Sequence, residues 1–381
     1  MNIAVVFGSR SVEHDVSITS AYGVMMGLKK NTGHHVFPIY ITRNGKWIYD
    51  PKFLDINSFR DFKEDNYKNT RFEIDFSKSG KLCFTQDTWA LFSKSTSENI
   101  DFVFPILHGM NGEDGSIQGI FDILQVPYMW PSIAASAVWM NKIIMKDVFQ
   151  SHGIKITPYL VFQKNTFDSK IVEKEIGYPL IVKPANLGSS IGISKVEKSE
   201  DLENAVEIGF HYDHDIIIEM CVQNLIELNC SVSEFDGEIV TSLVEQPIGS
   251  SDFLSFEEKY VSTEWGTMQG LKNRVNIPAQ IPDSLRDIIQ QNCKAIYKYL
   301  FCKWWAPRID FLYDKISWEL YVNEINTIPW ALQMHLWDKS WYPVGIFLQK
   351  LIETGIEKQK ERKLNIDFQS NIIGHTIAFT K

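Results

Sequence analysis

Short apolar segments that alternate with helical stretches dominate the first third of this 381-residue chain, and they constrain its fold most strongly. Residues 2–7, 35–41 and 102–107 are predicted to be buried strands, and a helix is predicted over residues 17–29. Such alternation is typical of a parallel α/β sheet. Ligand-binding loops in such sheets lie at the carboxyl ends of the strands, which is where His108 lies.

The later part of the chain predicts a different mixture of helices and antiparallel strands. A helix is expected over residues 134–152. Residues 57–97 are polar and are predicted to be an addition to the first domain. Residues 249–276 form a long polar loop, of the kind that often acts as a lid. The remaining predicted elements are strands over 178–183, 190–196 and 216–219, a hairpin over 228–248, a helix over 282–300, and a hairpin of 308–313 with 318–325.

Composition and charge narrow the classes of function. A hydrophobic content of 44% with 22% charged residues is ordinary for a soluble globular protein. The formal net charge of −9 argues against a nucleic-acid partner, which requires a basic face. The start of the chain does not resemble a signal peptide, and no apolar run is long enough for a membrane span. Five cysteines without CxxC pairing favour reduced thiols and a cytoplasmic location.

A lysine at the end of an apolar strand runs into a glycine-serine turn. Lys183 precedes Pro184, and residues 188–190 read Gly-Ser-Ser. The turn offers hydroxyls and backbone N–H groups to a phosphate, and the lysine adds positive charge. Two interpretations of Lys183 stay open: contact with a phosphate, or a side chain that extends to solvent. The sequence lacks GxxxxGK[ST], the motif of P-loop proteins, and GxGxxG, the motif of Rossmann dinucleotide-binding proteins. Neither of these two interpretations is therefore supported.

Two adjacent strands near residue 320 carry an arginine, two carboxylates and an amide. Because side chains alternate along a strand, Glu324 and Asn326 point the same way, and Asp310 on the neighbouring strand can join them. Their oxygens suit one or two Mg²⁺ ions that bridge nucleotide phosphates, although a solvated strand face is the alternative. Arg308 lies on the same face, where it can stabilise negative charge on a tetrahedral carbon. With the Lys183 turn, this set suits an enzyme that binds ATP with magnesium.

Seven segments, taken together, resemble the D-alanine–D-alanine ligases of the ATP-grasp superfamily. The resemblance runs from residue 1 to about residue 356, and the order and spacing of the segments agree throughout. The matching segments are residues 11–17 (SVEHDVS), 108–119 (HGMNGEDGSIQG), 135–137 (ASA), 183–192, 258–260 (EKY), 308–310 (RID) and 323–327 (NEINT).

The resemblance implies an α/β protein with an ATP-grasp fold in three domains, α+β in its C-terminal part. These are a Rossmann-like parallel sheet in residues 1–133, a central subdomain in 134–220 and a catalytic domain in 221–356, before a tail in 357–381. The two later sheets would enclose ATP. In the implied reaction, ATP phosphorylates one D-alanine carboxylate, and the amine of a second D-alanine attacks the acylphosphate. Amino acids and ATP would be the substrates, with Mg²⁺ or Mn²⁺ as the metal and a homodimer as the assembly.

Carried over residue by residue, the resemblance also assigns roles. Glu13 would bind the ammonium of the first amino acid, linked to Ser189 and Tyr260, with His108 near that pocket. The loop over 249–276 would close over the site and exclude water, because an exposed acylphosphate hydrolyses. Arg308 would stabilise the tetrahedral intermediate. The remaining assignments are Lys146 and Lys183 at the phosphates, Glu219 at the adenine amino group, Glu227 at the ribose, Ser190 and Lys259 beside the nucleotide, and Asp310, Glu324 and Asn326 at two Mg²⁺ ions.

The sequence departs from the family pattern where the second amino acid would bind. The family loop reads Asn-Thr-x-Pro-Gly-x-Thr with a Ser soon after, whereas residues 326–337 here read NTIPWALQMHLW. Trp330 replaces the Gly whose backbone approaches the reacting carbonyl, and His335 replaces the Ser that binds the second carboxylate. A tryptophan cannot reproduce the close backbone approach that glycine allows. Asn141 also replaces the usual Asp.

Three interpretations of these departures remain open. The enzyme has a different second substrate, for which Trp330 stacks on a larger or cationic group and His335 holds a carboxylate. Alternatively, the loop has drifted and D-alanyl-D-alanine is still the product. The third interpretation is a non-catalytic nucleotide-binding relative, which the intact charged set argues against.

Overall fold

The structure is a computed structural model that describes residues 1–88, 95–129, 131–248, 275–299 and 305–362, together with Ser370 and Ile372. None of the helices in these ranges combines the length and apolarity that a membrane crossing requires.

A mostly parallel sheet forms the core of the N-terminal region, as the alternating pattern predicts. Its order is β3-β2-β1-β7, in which β1 pairs in parallel with β2 and β7, and β3 joins antiparallel to β2. The first helix begins three residues before the predicted residue 17. The elements of this region are β1 (Asn2–Gly8), α1 (His14–Asn31), β2 (His35–Ile41), β3 (Trp47–Tyr49), β4 (Thr70–Ile74), β5 (Leu82–Thr88), β6 (Ser95–Ile100), β7 (Phe102–Ile106) and α2 (Ser116–Leu124).

The stretch over 57–97 is more ordered than its polar sequence suggests. It contains the antiparallel sheet β4-β5-β6, after 3₁₀ turns at Pro51–Leu54, Ile56–Phe59 and Glu64–Tyr67. Phe72 and Phe84 stack across the sheet with ring centroids 4.7 Å apart, and Phe72 also stacks on Trp47. Aromatic contacts with the first sheet therefore order strands whose other faces are polar.

An antiparallel sheet of order β10-β9-β11-β8 forms the central region. The strand pair predicted around the Gly-Ser-Ser turn is confirmed as β9 and β10. The elements are α3 (Ile133–Met140), α4 (Lys142–Ser151), β8 (Tyr159–Gln163), α5 (Ser169–Glu175), β9 (Leu180–Pro184), β10 (Ser194–Val196), a 3₁₀ turn (Ser199–Asp201), α6 (Leu202–Tyr212) and β11 (Asp215–Met220).

The single helix predicted over 134–152 is wrong, because Asn141 divides it into α3 and α4. Asn141 has an extended backbone (φ −92°, ψ 110°) and caps α4, since its side chain accepts hydrogen bonds from the N–H groups of Ile143 and Ile144. Its amide nitrogen also donates to Asn186 at 2.8 Å. An asparagine at this position satisfies helix-end donors that an uninterrupted helix would not expose.

A second antiparallel sheet, of order β13-β12-β16-β17, forms the C-terminal region, and both predicted hairpins are confirmed. The end of the long predicted loop forms a short strand, while residues 249–274 lie outside the described residues. The last helix continues past residue 357. The elements are β12 (Leu225–Phe235), β13 (Glu238–Thr241), β14 (Gln246–Pro247), β15 (Val275–Asn276), α7 (Asp283–Tyr299), β16 (Arg308–Asp314), β17 (Leu320–Asn326), a 3₁₀ turn (Trp330–Gln333), α8 (Met334–Lys339) and α9 (Val344–Glu361).

The cap at Asn141 gives a direct test of this break. Asn141→Ala removes a side-chain cap that typically contributes about 1 kcal/mol, so we expect the midpoint of thermal unfolding to fall by roughly 1–3 °C. Asn141→Asp keeps a hydrogen-bond acceptor at the start of the helix, so its unfolding midpoint should fall little. Circular dichroism during heating measures both variants, and equal losses in the two would contradict a capping role.

Candidate active site

The hairpin of β16 and β17 gathers four of the predicted site residues into one cluster. Asp310 is paired with Glu324 across the strands, and Arg308 with Asn326. Arg308 donates twice to Asp310, from Nε to Oδ1 at 2.6 Å and from Nη2 to Oδ2 at 2.7 Å. Asn326 Nδ2 donates to Asp310 Oδ2 at 2.7 Å. The strand alternation therefore predicts their convergence correctly, while the binding role of each residue stays a prediction.

A cleft between the central and C-terminal sheets, here called the inter-sheet cleft, is lined from both sides. Lys183 and Ser190 line it from the central region, and Glu227, Asp310 and Glu324 line it from the C-terminal region. The cleft thus combines a lysine and a serine turn on one wall with carboxylates on the other. Such a surface suits a polyphosphate accompanied by a hard cation.

Two lysines of α4 occupy different positions relative to this cleft. Lys142, to which the sequence assigns no role, lines the cleft, and its Nζ lies 3.8 Å from Oε2 of Glu324. It also donates to the carbonyl oxygen of Leu187 in the Gly-Ser loop. Lys146, predicted to contact phosphate, is only 2% exposed and lies in a buried ion pair. Lys142 therefore presents the more accessible charge of the two.

Glu219 is at the centre of a buried cluster that includes both predicted phosphate lysines. Lys146 Nζ lies 2.8 Å from Glu219 Oε2, and Lys183 contacts the other carboxylate oxygen. Thr157 Oγ1 donates to Oε2 at 2.8 Å. Burial alone would raise the pKa of Glu219, but the two ammonium groups outweigh it and hold that pKa well below its usual range. Lys183 also donates to Asn323 at 3.3 Å, which links the cluster to β17.

A second cavity, here called the adjoining pocket, contains the residue predicted to bind the first amino acid. Glu13 immediately precedes α1, is 3% exposed and accepts a hydrogen bond from Ser189 Oγ. Gly109 makes the close approach possible, because a β-carbon there would lie 2.5 Å from Glu13 Oε2. The structure therefore brings Glu13 and Ser189 together, as the resemblance implies.

His108 lines the same pocket as a neutral imidazole. Burial, and then the positive charge of Arg308, lower the pKa of His108 to about 3. Its Nε2 has no hydrogen-bond partner among the described residues. A neutral ring in this position can donate or accept one hydrogen bond with a substrate without adding charge.

Glu113 connects the loop that contains Gly109 to the loop after β17. Its Oε1 accepts from Thr327 Oγ1 at 2.8 Å and from the N–H of Ile328 at 3.0 Å, and its Oε2 accepts from the N–H of Gly109 at 2.8 Å. Burial, and then the negative charge of Glu13, raise the pKa of Glu113 to about 8. Glu113 therefore holds two loops of the adjoining pocket in a fixed relation.

The two residues that depart from the family loop both line the adjoining pocket. His335 Nε2 lies 2.6 Å from Oε2 of the buried Glu245, and Trp330 Nε1 lies 3.4 Å from Thr19 Oγ1. Burial would raise the pKa of Glu245, but pairing with His335 lowers it. The ring of His335 is thereby held beside the pocket. Tyr260 and Lys259, also predicted for the site, lie outside the described residues.

Several residues of the pocket and cleft have no role assigned from the sequence, among them Glu113, Lys142, Glu245 and Gln333. Glu113 stands within the quoted HGMNGEDG segment, and Lys142 stands one turn before Lys146 on a helix, so their neighbours could have indicated them. Glu245 and Gln333 had no comparable signal. Glu245 follows an ordinary apolar segment, and Gln333 reaches the pocket only through the unusual backbone of the loop around it.

The comparisons with known proteins agree with this architecture. The family model "D-ala D-ala ligase N-terminus" matches residues 2–131, and "D-ala D-ala ligase C-terminus" matches residues 148–357. D-alanine–D-alanine ligase of Thermosipho melanesiensis is 34% identical over 98% of both chains. The enzyme of Caldicellulosiruptor bescii is 35% identical over 95% of this chain and 97% of its own.

Solved structures give the same result. The VanG D-Ala:D-Ser ligase of Enterococcus faecalis has a TM-score of 0.74 at 30% identity and covers 93% of this chain and 99% of its own. The D-alanine–D-alanine ligase of Coxiella burnetii has a TM-score of 0.75 over 95% of this chain and 96% of its own, and at 23% identity it supports the fold.

Two antiparallel sheets around a cleft of lysines and carboxylates, after an N-terminal α/β domain, place this protein among the ATP-grasp enzymes. Within them, the chain belongs to the D-alanine–D-alanine ligase family.

The buried cluster predicts a dependence of stability on pH. Glu219→Gln leaves two buried ammonium groups without their carboxylate, a loss on the order of 3–5 kcal/mol, so the urea midpoint at pH 7 should fall clearly. Because the pKa of Glu219 is lowered by folding, its contribution is complete above its ordinary value of 4.5 and decreases as pH falls below that value. The difference in urea midpoint between the wild type and Glu219→Gln should therefore be smaller at pH 4 than at pH 7. Glu207→Gln, at an exposed position, is the control, and an unchanged difference at pH 4 would contradict the ion-pair assignment.

Proposed function

We propose that this protein is an ATP-dependent ligase that joins the carboxylate of one D-alanine to the amine of a second amino acid, in the first instance D-alanine. The observation that carries the proposal is the position of the Glu13–Ser189 contact, which shares one pocket with the Arg308–Asp310 pair. The pocket thus offers an anchor for a substrate ammonium and a cation for developing negative charge. The relatives that cover nearly the whole chain have the same activity in their names.

In the first step, an oxygen of the donor carboxylate attacks the terminal phosphorus of ATP, and the bond to the bridging oxygen of ADP breaks. Lys183 and Lys142 neutralise phosphate oxygens from the wall of the inter-sheet cleft, and Lys146 adds positive charge from beneath. Ser190 covers the phosphates with its hydroxyl and N–H groups. Glu227 is assigned to the ribose. Glu219 keeps its predicted assignment to the adenine amino group by resemblance alone, since in this structure both of its carboxylate oxygens pair with Lys146 and Lys183. Lys259 is assigned beside the nucleotide by resemblance alone.

Magnesium is expected with ATP, as is general for ATP-grasp ligases of this family. Asp310, Glu324 and Asn326 supply carboxylate and amide oxygens, the ligands that Mg²⁺ prefers. In the described part of the chain, no group of three His, Cys, Asp or Glu side chains forms a metal site by itself. We propose that these three residues hold two ions together with ATP phosphates, and that Mn²⁺ can replace Mg²⁺. The bound metal would neutralise phosphate oxygens and favour nucleophilic attack on the terminal phosphorus.

In the second step, the neutral amine of the acceptor attacks the acyl carbon, and the carbon–oxygen bond to phosphate breaks after a tetrahedral intermediate. Arg308 stabilises the oxyanion of that intermediate, and the new amide nitrogen loses a proton. Glu13 holds the ammonium of the donor, with Ser189 and the predicted Tyr260 as its partners. His108 stays neutral beside the donor. Exclusion of water by the predicted lid over 249–276 would protect the acylphosphate.

A second candidate function is the ligation of D-alanine to an acceptor other than D-alanine. The observation that favours it is the paired His335–Glu245 beside Trp330, where the family has a serine and a glycine. A histidine ring can hold the carboxylate of the acceptor by a hydrogen bond from a ring nitrogen, in place of a serine hydroxyl. VanG, which aligns over nearly its whole length, is named a D-Ala:D-Ser ligase, so acceptor choice varies among similar structures.

The remaining expectations follow from the family and from the reaction. The product dipeptide would serve peptidoglycan synthesis, and a reaction that consumes ATP belongs in the cytoplasm. We propose a homodimer and domain limits at residues 133, 220 and 356.

The reaction predicts amino-acid-dependent release of ADP. With purified protein, ATP and Mg²⁺, D-alanine should stimulate ADP release well above the rate without amino acid, and mass spectrometry should detect a dipeptide. ADP release that no amino acid stimulates would contradict ligase activity and indicate a nucleotide-binding relative. Phosphate found on a hydroxyl substrate without an amide product would indicate a kinase instead.

The assignment of Glu13 predicts a selective defect. Glu13→Gln removes the charge that holds the donor ammonium, so we expect KM for D-alanine to rise about 10- to 100-fold, because a hydrogen bond to a charged group contributes about 1.5–3 kcal/mol. ATP affinity, measured by calorimetry, should change less than threefold. Glu203→Gln, at an exposed position of α6, is the control. Equal losses for ATP and D-alanine would show that Glu13 does not have this role.

A further inference from the structure

We infer that Lys142 is a positioning residue for the donor amino acid: it holds the Gly-Ser loop, residues 185–190, so that Ser189 meets Glu13. The inference rests on the proposed ligase function and adds a residue that acts on the donor from a distance. Lys142 lies at the start of α4 and lines the inter-sheet cleft, whereas Glu13 lies in the adjoining pocket.

The start of α4 contacts the loop at three successive residues. The N–H of Lys142 donates to the carbonyl oxygen of Ala185 at 2.9 Å, and Asn141 Nδ2 donates to Asn186 Oδ1 at 2.8 Å. Lys142 Nζ then donates to the carbonyl oxygen of Leu187. The first two contacts hold the beginning of the loop. The ammonium group of Lys142 therefore attaches the loop to α4 directly before its turn.

The turn that follows has an unfavourable backbone. Ser189 and Ser190 have φ angles of 53° and 59°, in the left-handed region that residues other than glycine seldom adopt. Such a conformation persists where surrounding contacts impose it. Because the contact between Lys142 and Leu187 comes immediately before this turn, we expect the turn to relax when that contact is removed.

The anchor for the donor ammonium depends on this turn through Ser189. Ser189 Oγ donates to Glu13, which is 3% exposed. A β-carbon at Gly188 would lie 3.1 Å from Glu13 Oε1, so the backbone of the loop passes close to the carboxylate. A relaxed turn would move Ser189 away from Glu13 and leave the carboxylate less well oriented for a substrate ammonium. The effect of Lys142 on the donor thus passes through one hydrogen bond.

A carboxylate on the opposite wall of the cleft fixes the direction of the Lys142 side chain. Its Nζ lies 3.8 Å from Glu324 Oε2 on β17, and the side chain is 10% exposed. A buried ammonium group is unfavourable unless a carboxylate and hydrogen-bond acceptors compensate for the loss of water. Glu324 and the carbonyl oxygen of Leu187 supply both. Lys142 therefore holds the loop relative to β17 as well as to α4.

Lys142 is also assigned to the phosphates of ATP, and the two roles differ in the kinetic constant that they change. A residue that only neutralises phosphate affects the KM for ATP and leaves the donor site unchanged. A residue that positions Ser189 affects the KM of the donor site even when ATP is saturating. The two roles can therefore be separated in one protein.

A double-mutant cycle tests the inference. ADP release is measured at saturating ATP and Mg²⁺ over a range of D-alanine concentrations, and two KM values are fitted, of which the one that Glu13→Gln raises belongs to the donor site. Lys142→Met keeps the length of the side chain and removes its ammonium group, so we expect the donor KM to rise about fivefold or more. In the Ser189→Ala background, the same substitution should change the donor KM less than about twofold, because the contact that it controls is already lost.

Matched variants complete the experiment. Lys142→Arg keeps a positive charge and N–H donors, so it should raise the donor KM less than Lys142→Met does. Lys170→Met, at an exposed position of α5, is the control. Circular dichroism during heating verifies folding, and Lys142→Gln takes the place of Lys142→Met in the cycle if the methionine variant does not fold. If turnover is lost, calorimetry with a non-hydrolysable ATP analogue gives the same comparison for the affinity of D-alanine.

Three results would overturn the inference. A rise in the KM for ATP with an unchanged donor KM would leave Lys142 with a phosphate role alone. Equal rises of the donor KM in the two backgrounds would show that Lys142 acts independently of Ser189, and a donor KM that Glu13→Gln does not alter would remove the anchor itself. Absence of any amino-acid-dependent ADP release in the wild type would instead overturn the ligase, and this inference with it.

Discussion

The ion pairs of Glu219 with Lys146 and Lys183 hold together the elements on which the inter-sheet cleft depends. They join α4, β9 and β11 at one buried point, and Lys183 continues from there to Asn323 on β17. A single carboxylate between two ammonium groups leaves the cluster with excess positive charge, directly beside a cleft suited to phosphate. The same interaction thus fixes the packing of the central sheet and contributes positive potential on the Lys183 side of the cleft.

A second set of contacts relates two loops of the adjoining pocket to each other. Glu113 accepts hydrogen bonds from Gly109 on one side and from Thr327 and Ile328 on the other, and its environment includes the charge of Glu13. The donor-side loop and the loop after β17 therefore share one buried carboxyl group. In a reaction that brings an amine to an acyl carbon, such fixed spacing contributes through orientation of the two reactants.

Much of this architecture could be predicted from the sequence, because local patterns determine it. Alternation along β16 and β17 is a property of the strands themselves, and it correctly gathers Arg308, Asp310, Glu324 and Asn326. The break at Asn141 was missed because its neighbours favour a helix and the cap depends on one side chain. Strands β4–β6 were missed because aromatic contacts with another sheet order them. Glu245 could not be found from the sequence, since its partner His335 is 90 residues away.

The docking of the loop Trp330–Gln333 on α1 has a consequence for how the shape of the adjoining pocket can change during evolution. Ser20 and Gly23 receive the loop backbone, and Glu13 stands at the start of the same helix. A substitution that shifts α1 therefore displaces two walls of the adjoining pocket at once. The pocket is in this sense shaped by two segments 311 residues apart in the chain, and a change in the side chains of one is expected to require a compensating change in the other.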